Sequence, residues 1–580
     1  MPIRQACKVE ALQGMIRCML RKGTAAPALL GALMALPALA RAATIQVTPS
    51  DSYDLIEGAN PGDEVVIAPG TYRYRVYLET QASSSQPIVI RAQDPADPPV
   101  WDLSDGNVGD APGSYDGGDN GRGCWQIAGA TNILISGIEF TGCHNDSHNA
   151  AGLRYYGGAE GIVLEDCIFH DNDNGLTGGT EDSEITVEHS DFHDNGSTQA
   201  SNATHNIYVY GGRFTLRYSL VRDAVQAQNF HIRAHDSVLE YNWFARARSY
   251  QGDLMTDDDY DGPGPYQQNM LLRGNVIVQD QAPNNSSQII AIYDDYGSEG
   301  LTLSVTLVNN TLVGNGGHAA LVHLSNEDGS TVMDADLANN IIYGTSVPVL
   351  VETASRATVT GSNNWIMSNA DAGDLTDSVV GNDPGFADAA VEDFTLASGS
   401  TAIGAATGNR DDLPDREYYQ NETVARQYRL RSSVHDIGAF ESTTTSEPQG
   451  PGGAIVAPIG GAAGSNAGGA ASSEGGATTG GATASGGETS AAGTENQGGA
   501  SSGGRAGSSA LGGDSNAGQA GSAEAAGADA GSDDGSTESA KDEGGSSGCG
   551  CRVPRRGPGA PGAWVALGLL GWCAMRRHRR

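Results

Sequence analysis

Lysine is almost absent from this 580-residue chain, in which it occurs only at Lys8, Lys22 and Lys541. The region between residues 23 and 540 therefore cannot use a reaction mechanism that requires a lysine base or a Schiff base. Aromatic residues are also scarce, at 6%, and the formal net charge of −37 argues against nucleic-acid binding, which needs a basic surface. Chemistry in the central region must use arginine, histidine, tyrosine and carboxylate side chains.

The N-terminus has the pattern of a signal peptide. Arg17, Arg21 and Lys22 precede the apolar run APALLGALMALPALA, and the tripeptide ARA ends at Ala42. A basic segment, a short apolar segment and an A-x-A site are typical of secretory signals, and the apolar run is too short to span a bilayer. We predict that signal peptidase removes residues 1–42, which implies export into a compartment that permits disulfide bonds.

The C-terminal part indicates a tether followed by a sorting signal. Residues 444–548 are almost entirely Gly, Ala, Ser, Thr and scattered acids, which predicts a disordered linker because such a segment cannot bury enough apolar surface to fold. In residues 549–580, Cys549 and Cys551 precede a short apolar stretch and an arginine-rich end. This order resembles the MYXO-CTERM sorting tail of myxobacterial surface proteins. The resemblance implies processing near these cysteines, by a sorting protease or translocation system, and display at the cell surface; the alternative is an uncleaved anchor.

Residues 43–443 contain a repeat. Segments such as ISGIEF, VEHSDF, LVNNTL and LANNII recur every 23 to 35 residues and end in one apolar column: Phe140, Phe169, Phe192, Val221, Phe244, Ile277, Leu312, Ile342 and Ile366. Two positions earlier a polar column ends in five consecutive asparagines: Asn242, Asn275, Asn310, Asn340 and Asn364. No single unit can bury its apolar face, so the units must stack with equivalent residues about 4.8 Å apart.

Such ladders predict an all-β fold, a single-stranded right-handed parallel β-helix of about 10–12 rungs over residues 43–443. A β-propeller would need longer repeats. The stretch GDEVVIAPGTYRYRVYLETQASSSQPIVIRAQDP (62–95) resembles the opening rungs of pectate-lyase-like and chondroitinase B-like β-helices. DPGFADAAVEDFTLASGSTAIGAA (383–406) and DIGAFE (436–441) resemble their closing segments. The resemblance implies the fold but not one activity, because this fold hosts lyases, hydrolases, esterases, epimerases and binders.

A polar patch is predicted near the middle of the solenoid, in the stretch NFHIRAHDSVLEYNWF (229–244). Counting back from the apolar column places His231 and Arg233 beside Tyr208 and Tyr210 of the preceding rung. Strand alternation turns these side chains outwards and the intervening apolar residues inwards. The catalytic candidates are His231, Arg233, Tyr208 and His205, the last at the strand edge. Equivalent offsets give the substrate-binding candidates Tyr156, Arg154, Asn206, Tyr210 and Asn229.

These residue types suit an acidic sugar. Tyrosine rings can stack on pyranose faces, arginine can pair with a carboxylate through two hydrogen bonds, and histidine or tyrosine can transfer a proton. The alternative is an ordinary solvated sheet face, where the same residues are common.

Carboxylates follow the patch in the sequence GDLMTDDDYDG. Asp253, Asp257, Asp258 and Asp259 are candidate ligands for Ca²⁺, which prefers oxygen donors. A solvated acidic loop is the alternative. Elsewhere, Cys124 and Cys143 fit a disulfide bond of an exported protein, and Cys167 falls in the polar column as a free core residue, although spacing alone leaves other pairings open.

Three functions remain open from the sequence. The first is a polysaccharide lyase that performs β-elimination on uronate-containing glycans, in which HIRA (231–234) resembles a Lys-Ser-Arg-Ala stretch of other bacterial β-helix proteins, with His231 at the lysine position. The second is a glycoside hydrolase using Asp253 and the 257–259 run, since hydrolysis needs two flanking carboxylates. The third is a non-enzymatic polysaccharide binder or adhesin. We expect an exported, cell-surface β-helix protein whose partner is acidic polysaccharide.

Overall fold

The computed structural model describes residues 42–113, 122–200, 204–257, 266–279, 288–294, 300–314, 320–326, 330–352, 356–419, 427–431 and 434–451. The predicted signal peptide up to Arg41, the chain beyond residue 451, and Cys549 and Cys551 with the sorting tail lie outside these ranges. Among the described residues, no helix has the length and apolar character needed to cross a bilayer.

Three long parallel sheets make up most of the described chain. Sheet 1 contains the strands Thr44–Val47, Glu64–Ile67, Ile88–Ala92, Thr131–Ser136, Glu160–Glu165, Glu184–Glu188, Arg213–Arg217, Asp236–Glu240, Tyr266–Arg273, Leu301–Val308, Val332–Ala338 and Arg356–Ser362. Sheet 2 contains Gly70–Tyr72, Pro99–Asp102, Glu139–Thr141, Ile168–His170, Asp191–His193, Leu220–Arg222, Trp243–Ala245, Val276–Gln279, Thr311–Gly314, Ile341–Tyr343, Trp365–Met367 and Val379–Gly381. Sheet 3 contains Val76–Leu78, Gly123–Ala128, Ala151–Tyr156, Asn174–Gly178, Ile207–Tyr210, Phe230–Arg233, Gly252–Met255, Ile290–Asp294, Val322–Asn326 and Val349–Val351.

The chain visits the sheets in rotation, so that each strand pairs in parallel with the strand one rung away. The predicted parallel β-helix is therefore confirmed. The remaining described elements are small: a helix at Asp54–Glu57, 3₁₀ turns at Val108–Asp110 and Ala389–Val391, and the antiparallel pairs Phe386–Asp388 with Asp393–Leu396 and Arg416–Tyr418 with Tyr428–Leu430.

One tight bend connects sheet 1 to sheet 2 in successive rungs. In nine rungs the residue at this bend has a positive φ; these residues are Gly137, Asp166, His189, Tyr218, Tyr241, Gly274, Asn309, Asn339 and Asn363. The next residue turns inwards, and from Asn242 to Asn364 each side-chain amide donates to the Oδ1 of the following asparagine at 3.0 Å. The predicted asparagine ladder is thus confirmed. Each of these buried hydrogen bonds contributes about 1 kcal/mol to stability.

The predicted apolar column fills the centre of the solenoid. Phe140, Phe169 and Phe192 are fully buried, and their rings stack at centroid distances of 4.8 and 4.5 Å. Val221 and Phe244 continue the column in register with Phe192. These side chains can stack because parallel pairing places equivalent residues of successive rungs one strand spacing apart.

A second polar ladder occupies the bend between sheets 2 and 3. It runs through Asn172, Asn195, Asn206, Asn229, Gln251 and Gln279, which are all fully buried and joined by hydrogen bonds of 2.5–2.9 Å. The sequence interpretation of Asn206 and Asn229 as substrate-binding residues is therefore wrong as to their position. They sit where the backbone bends into the strand, so strand alternation does not determine their direction, and their amides also bind the carbonyls of Arg222 and Ala245.

A disulfide bond and a returning chain segment add contacts outside the three sheets. Cys124 and Cys143 form a disulfide bond with a Cα–Cα distance of 5.8 Å, and the buried Cys167 Sγ donates to the Glu165 carbonyl at 3.4 Å. Past the last rung the chain returns to the ridge between sheets 1 and 2, where Tyr428 stacks on Tyr218 at 4.2 Å. Gln449 pairs with Tyr428 through backbone hydrogen bonds of 2.9 and 2.7 Å. Ordered contacts therefore continue past residue 443, where the sequence placed the end of the β-helix domain.

Candidate functional site

The candidate site lies on the outer face of sheet 3. Ile207 and Val209 are fully buried in the core, as are Phe230 and Ile232 of the next strand. The residues between them belong to the opposite face, and Tyr208 pairs with His231 while Tyr210 pairs with Arg233. The structure therefore brings together four of the residues that the sequence assigned to the patch.

The register differs from the sequence interpretation at two residues. Residues at equivalent positions of successive rungs form a line along the solenoid, which we call a file. Tyr155 pairs with Gly178, which pairs with Val209, so Tyr156 belongs to the file of Tyr210 and not to that of Tyr208. Arg154 pairs with Thr177, which pairs with Tyr208. Arg154 thus belongs to the file of His231 and not with Asn206 and Asn229. The turn from sheet 3 to sheet 1 is two residues longer after Tyr156 and after Gly179 than after Tyr210, whereas counting back from the apolar column assumed a constant turn length.

A hydrogen-bonded network joins the polar residues of two successive rungs. Arg233 Nε donates to His231 Nε2 at 3.0 Å, and His231 Nδ1 lies 3.0 Å from Asp253 Oδ2. Because arginine has only donors, His231 Nε2 must accept, and the imidazole proton lies on Nδ1 and is donated to Asp253. Arg233 Nη1 also donates to the Thr256 carbonyl at 3.0 Å. This network fixes the His231 ring and its tautomer.

The network is deeper than an open sheet face. His231, Arg233 and Asp253 are 4%, 2% and 4% exposed, whereas the sequence predicted that His231 and Arg233 would face outwards and that Asp253 would lie in a protruding loop. Burial, with the adjacent Arg233, lowers the pKa of His231 well below its ordinary value, so this histidine is neutral. Burial raises the pKa of Asp253 to about 6, although the Tyr250 hydroxyl and nearby positive charge oppose that shift. Tyr250 was not predicted, because it lies in a turn outside the repeat pattern.

Two tyrosines border this buried network. Tyr208 and Tyr210 are half-buried, and their ring centroids are 5.7 Å apart. The Tyr208 ring lies edge-on to His231 at 4.7 Å. His205 lies 4.9 Å from the His231 ring and 5.6 Å from Tyr208, so it joins the cluster from the strand edge. Burial, followed by the influence of His231, lowers the pKa of His205 to about 3, which makes it a very weak base.

The rung before Tyr208 presents small side chains at this face. Thr177 follows Arg154 in one file, and Gly179 follows Tyr156 in the other. Gly179 has a φ of 142°, and a Cβ atom there would lie 1.5 Å from the Tyr210 carbonyl oxygen, so this position requires glycine. The guanidinium of half-buried Arg154 lies over the Tyr156 ring at 5.1 Å. The small residues of this rung therefore separate the Arg154–Tyr156 pair from the Tyr208–Tyr210 pair on the outer face of sheet 3.

The acidic candidates do not form one described cluster. Asp253 pairs with His231, whereas Asp257 Oδ2 lies 2.9 Å from His235 Nε2. Asp258 and Asp259 lie outside the described residues. Among the described residues, the ligand-type group found is Glu181, His235 and Asp257, which does not include Asp253. Calcium binding by the four predicted aspartates stays a prediction.

Comparisons with known proteins give structural neighbours only. No protein-family model matches the chain, and no curated protein matches it either. The chain is similar to the solved structure of pectate lyase Pel9A, with 17% identity over 69% of this chain and 96% of the other and a TM-score of 0.41. It is also similar to an alginate lyase from Paenibacillus sp. str. FPU-7, with 17% identity, 54% and 97% coverage and a TM-score of 0.39.

Proposed function

We propose that this protein is a polysaccharide lyase that cleaves a uronate-containing glycan on the outer face of sheet 3. The observation that carries the proposal is the contact of half-buried Tyr208 with the buried His231–Arg233–Asp253 network. β-Elimination at a uronate needs a positive charge near the carboxylate, a base for the C5 proton and an acid for the departing oxygen. Tyrosine and arginine can supply these roles without lysine.

Tyr208 is the proton-transfer residue in this proposal. The histidines are poorly suited to act as the base, because His231 Nε2 already accepts from Arg233 and the pKa of His205 is about 3. The phenolate form of Tyr208 takes the C5 proton and returns it to the departing C4 oxygen. The C5–H and C4–O bonds break, a C4=C5 double bond forms, and Tyr208 is regenerated.

Arg233 supplies the permanent positive charge. It lies beneath the face in register with Tyr210, and its guanidinium is held by His231 and the Thr256 carbonyl. In a poorly hydrated site, a fixed charge favours the negative charge that develops on the substrate carboxylate during proton removal. His231 and Asp253 act as positioning residues, because Asp253 holds the His231 ring and His231 Nε2 accepts from the Arg233 guanidinium.

Arg154 and Tyr156 form a second contact for the same polymer. They lie in the two files that contain the candidate site, three rungs before His231, and the small residues Thr177 and Gly179 lie between. Rungs repeat at about 4.8 Å, which is comparable to the length of one pyranose unit. A polymer lying along the solenoid axis would stack a ring on Tyr156 and place a carboxylate at Arg154.

The export predictions fit this substrate. A signal peptide ending at Ala42, and a tail with Cys549 and Cys551, would place the β-helix at the cell surface, where polymeric glycans are accessible.

An assay of the purified full chain against polyuronates and matched neutral polymers, with Ca²⁺ and with a chelator, tests this function. We expect ultraviolet absorbance from the new C4=C5 double bond with a polyuronate and none with neutral polymers. New reducing ends without that absorbance would indicate the hydrolase, and binding without turnover would indicate the adhesin; either result would reject the lyase.

A further inference from the structure

A cluster of metal-binding side chains lies at the turn between sheets 3 and 1, beyond the candidate site. Glu181 follows the strand Asn174–Gly178, His235 follows Phe230–Arg233, and Asp257 follows Gly252–Met255. One donor atom of each residue lies within 4.8 Å of those of the other two. Three different turns of the solenoid therefore bring their side chains to one point.

The three residues differ in their freedom to move. Asp257 is buried, and its backbone N–H donates to Gln268 Oε1 at 3.3 Å. Gln268 in turn donates to the carbonyls of Met255 and Ala234 at 2.8 and 3.1 Å, which fixes this turn. The edge of the Tyr266 ring packs against His235 at 4.7 Å. Glu181 is exposed, so the group combines two positioned ligands with one that can close over an ion.

The geometry suits a small cation. The His235 ring presents Nε2 to Asp257 Oδ2 at 2.9 Å and Nδ1 to Glu181 Oε2 at 3.6 Å. Ligand atoms bonded to zinc at about 2.0–2.2 Å lie roughly 3–4 Å from one another. A metal bound to one imidazole nitrogen of His235 would take the place of the contact that this nitrogen now makes with a carboxylate.

We propose that Glu181, His235 and Asp257 form a binding site for a first-row transition metal of the zinc class. One imidazole nitrogen and two carboxylates form a mixed set that zinc accepts, with solvent completing four-coordination, whereas calcium prefers six to eight oxygen ligands. This site contains neither Asp253 nor the remaining aspartates of the calcium prediction.

Metal binding here would also stiffen the candidate site. Asp257 is the next residue after Thr256, whose carbonyl accepts from Arg233 Nη1 at 3.0 Å. His235 lies two residues after Arg233 on the same chain segment. A metal that joins His235 to Asp257 therefore ties together the two chain segments that hold the Arg233 guanidinium.

Isothermal titration of the purified full chain tests the site, after a chelator has been used and removed. We expect one ZnCl₂ site per chain, weaker MnCl₂ binding and much weaker CaCl₂ binding. Glu181→Gln, His235→Gln and Asp257→Asn should each weaken zinc binding at least tenfold. X-ray absorption of the zinc-loaded protein should show one imidazole nitrogen with oxygen ligands and no sulfur.

His193→Gln is the matched control, because His193 also pairs with a neighbouring carboxylate, Asp194, at 2.9 Å but on sheet 2. Zinc affinity should be unchanged in this variant. Glu181→Gln keeps the test valid if the buried Asp257→Asn variant fails to fold. The proposal is overturned if zinc binds equally to the wild type and the Glu181 and His235 variants, if no zinc binds, or if calcium binds more tightly. The readout is binding, so it stands apart from any lyase activity.

Discussion

His231 Nδ1 lies 3.0 Å from Asp253 Oδ2, and the relationship recurs four residues later, where His235 Nε2 lies 2.9 Å from Asp257 Oδ2. His231 and Asp253 are register partners on neighbouring strands, and the turns that follow these strands keep the same separation of 22 residues between His235 and Asp257. The first pair supports the candidate catalytic network, and the second contributes to the proposed metal site.

Replacing Tyr208 by phenylalanine should remove the proton-transfer group while keeping the ring. We expect kcat on the best polyuronate to fall at least about 100-fold with little change in KM, as expected for loss of a general acid–base group. The control is Tyr210→Phe, which removes a neighbouring hydroxyl from the same face. Equal losses in the two variants would contradict the role assigned to Tyr208.

Arg154→Gln should weaken binding of the acidic polymer without slowing the chemical step. The expected result is a KM about tenfold higher with kcat nearly unchanged, because the lost charge-assisted contact lies two rungs from Tyr208. Arg213→Gln, which removes an arginine from the outer face of sheet 1, is the matched loss of charge and should leave KM unchanged. A fall in kcat for Arg154→Gln would place this arginine in the reaction itself.

Asp253→Asn should change the pH dependence of stability. The folded-state pKa of Asp253 is about 6, above the ordinary 3.8, because the carboxyl is buried. Protonation of Asp253 therefore adds up to roughly 3 kcal/mol to the free energy of unfolding below about pH 4. This contribution is lost as the pH rises through 6. Relative to wild type, the variant should gain stability between about pH 4 and about pH 7 in urea unfolding. Asp97→Asn, at an exposed position, should show no such gain. Equal gains in stability for the two variants over this pH range would contradict the role assigned to Asp253.

Asn275→Ala should destabilise the solenoid without touching the candidate site. Asn275 Oδ1 accepts from Asn242, and its amide donates to the Leu239 carbonyl at 2.7 Å and to Asn310 at 3.0 Å. The substitution leaves buried polar groups without partners, at a cost of about 3 kcal/mol in the free energy of unfolding. Gln267→Ala, on the exposed face of sheet 1, should cost much less. A loss below about 0.5 kcal/mol for Asn275→Ala would mean that the ladder contributes little.

The fold could be predicted because the ladders leave a direct trace in the sequence. One inward residue per rung must be apolar at the position of Phe244, and one must carry an amide at the position of Asn275. Parallel stacking repeats both requirements at a fixed distance from the bend between sheets 1 and 2. That bend has a nearly constant length, so the register near it follows from counting.

The site could be predicted only in part, because it lies beyond turns of variable length. Counting placed Tyr208 beside His231 correctly but misplaced Tyr156, where the turn is two residues longer. Strand alternation failed for Asn206, which lies at a bend and points into the ladder. The burial of His231 could not be foreseen either, since it depends on packing between rungs and not on the pattern within one strand.

The mass of the shortest product formed from a polyuronate tests the central claim most directly. Elimination through Tyr208 and Arg233 predicts an oligosaccharide with an unsaturated terminal uronate, lighter by one water than the hydrolysis product, and its absence with Tyr208→Phe. A saturated product of the full hydrolytic mass, or unsaturated product formed equally by the Tyr208→Phe variant, would contradict the account.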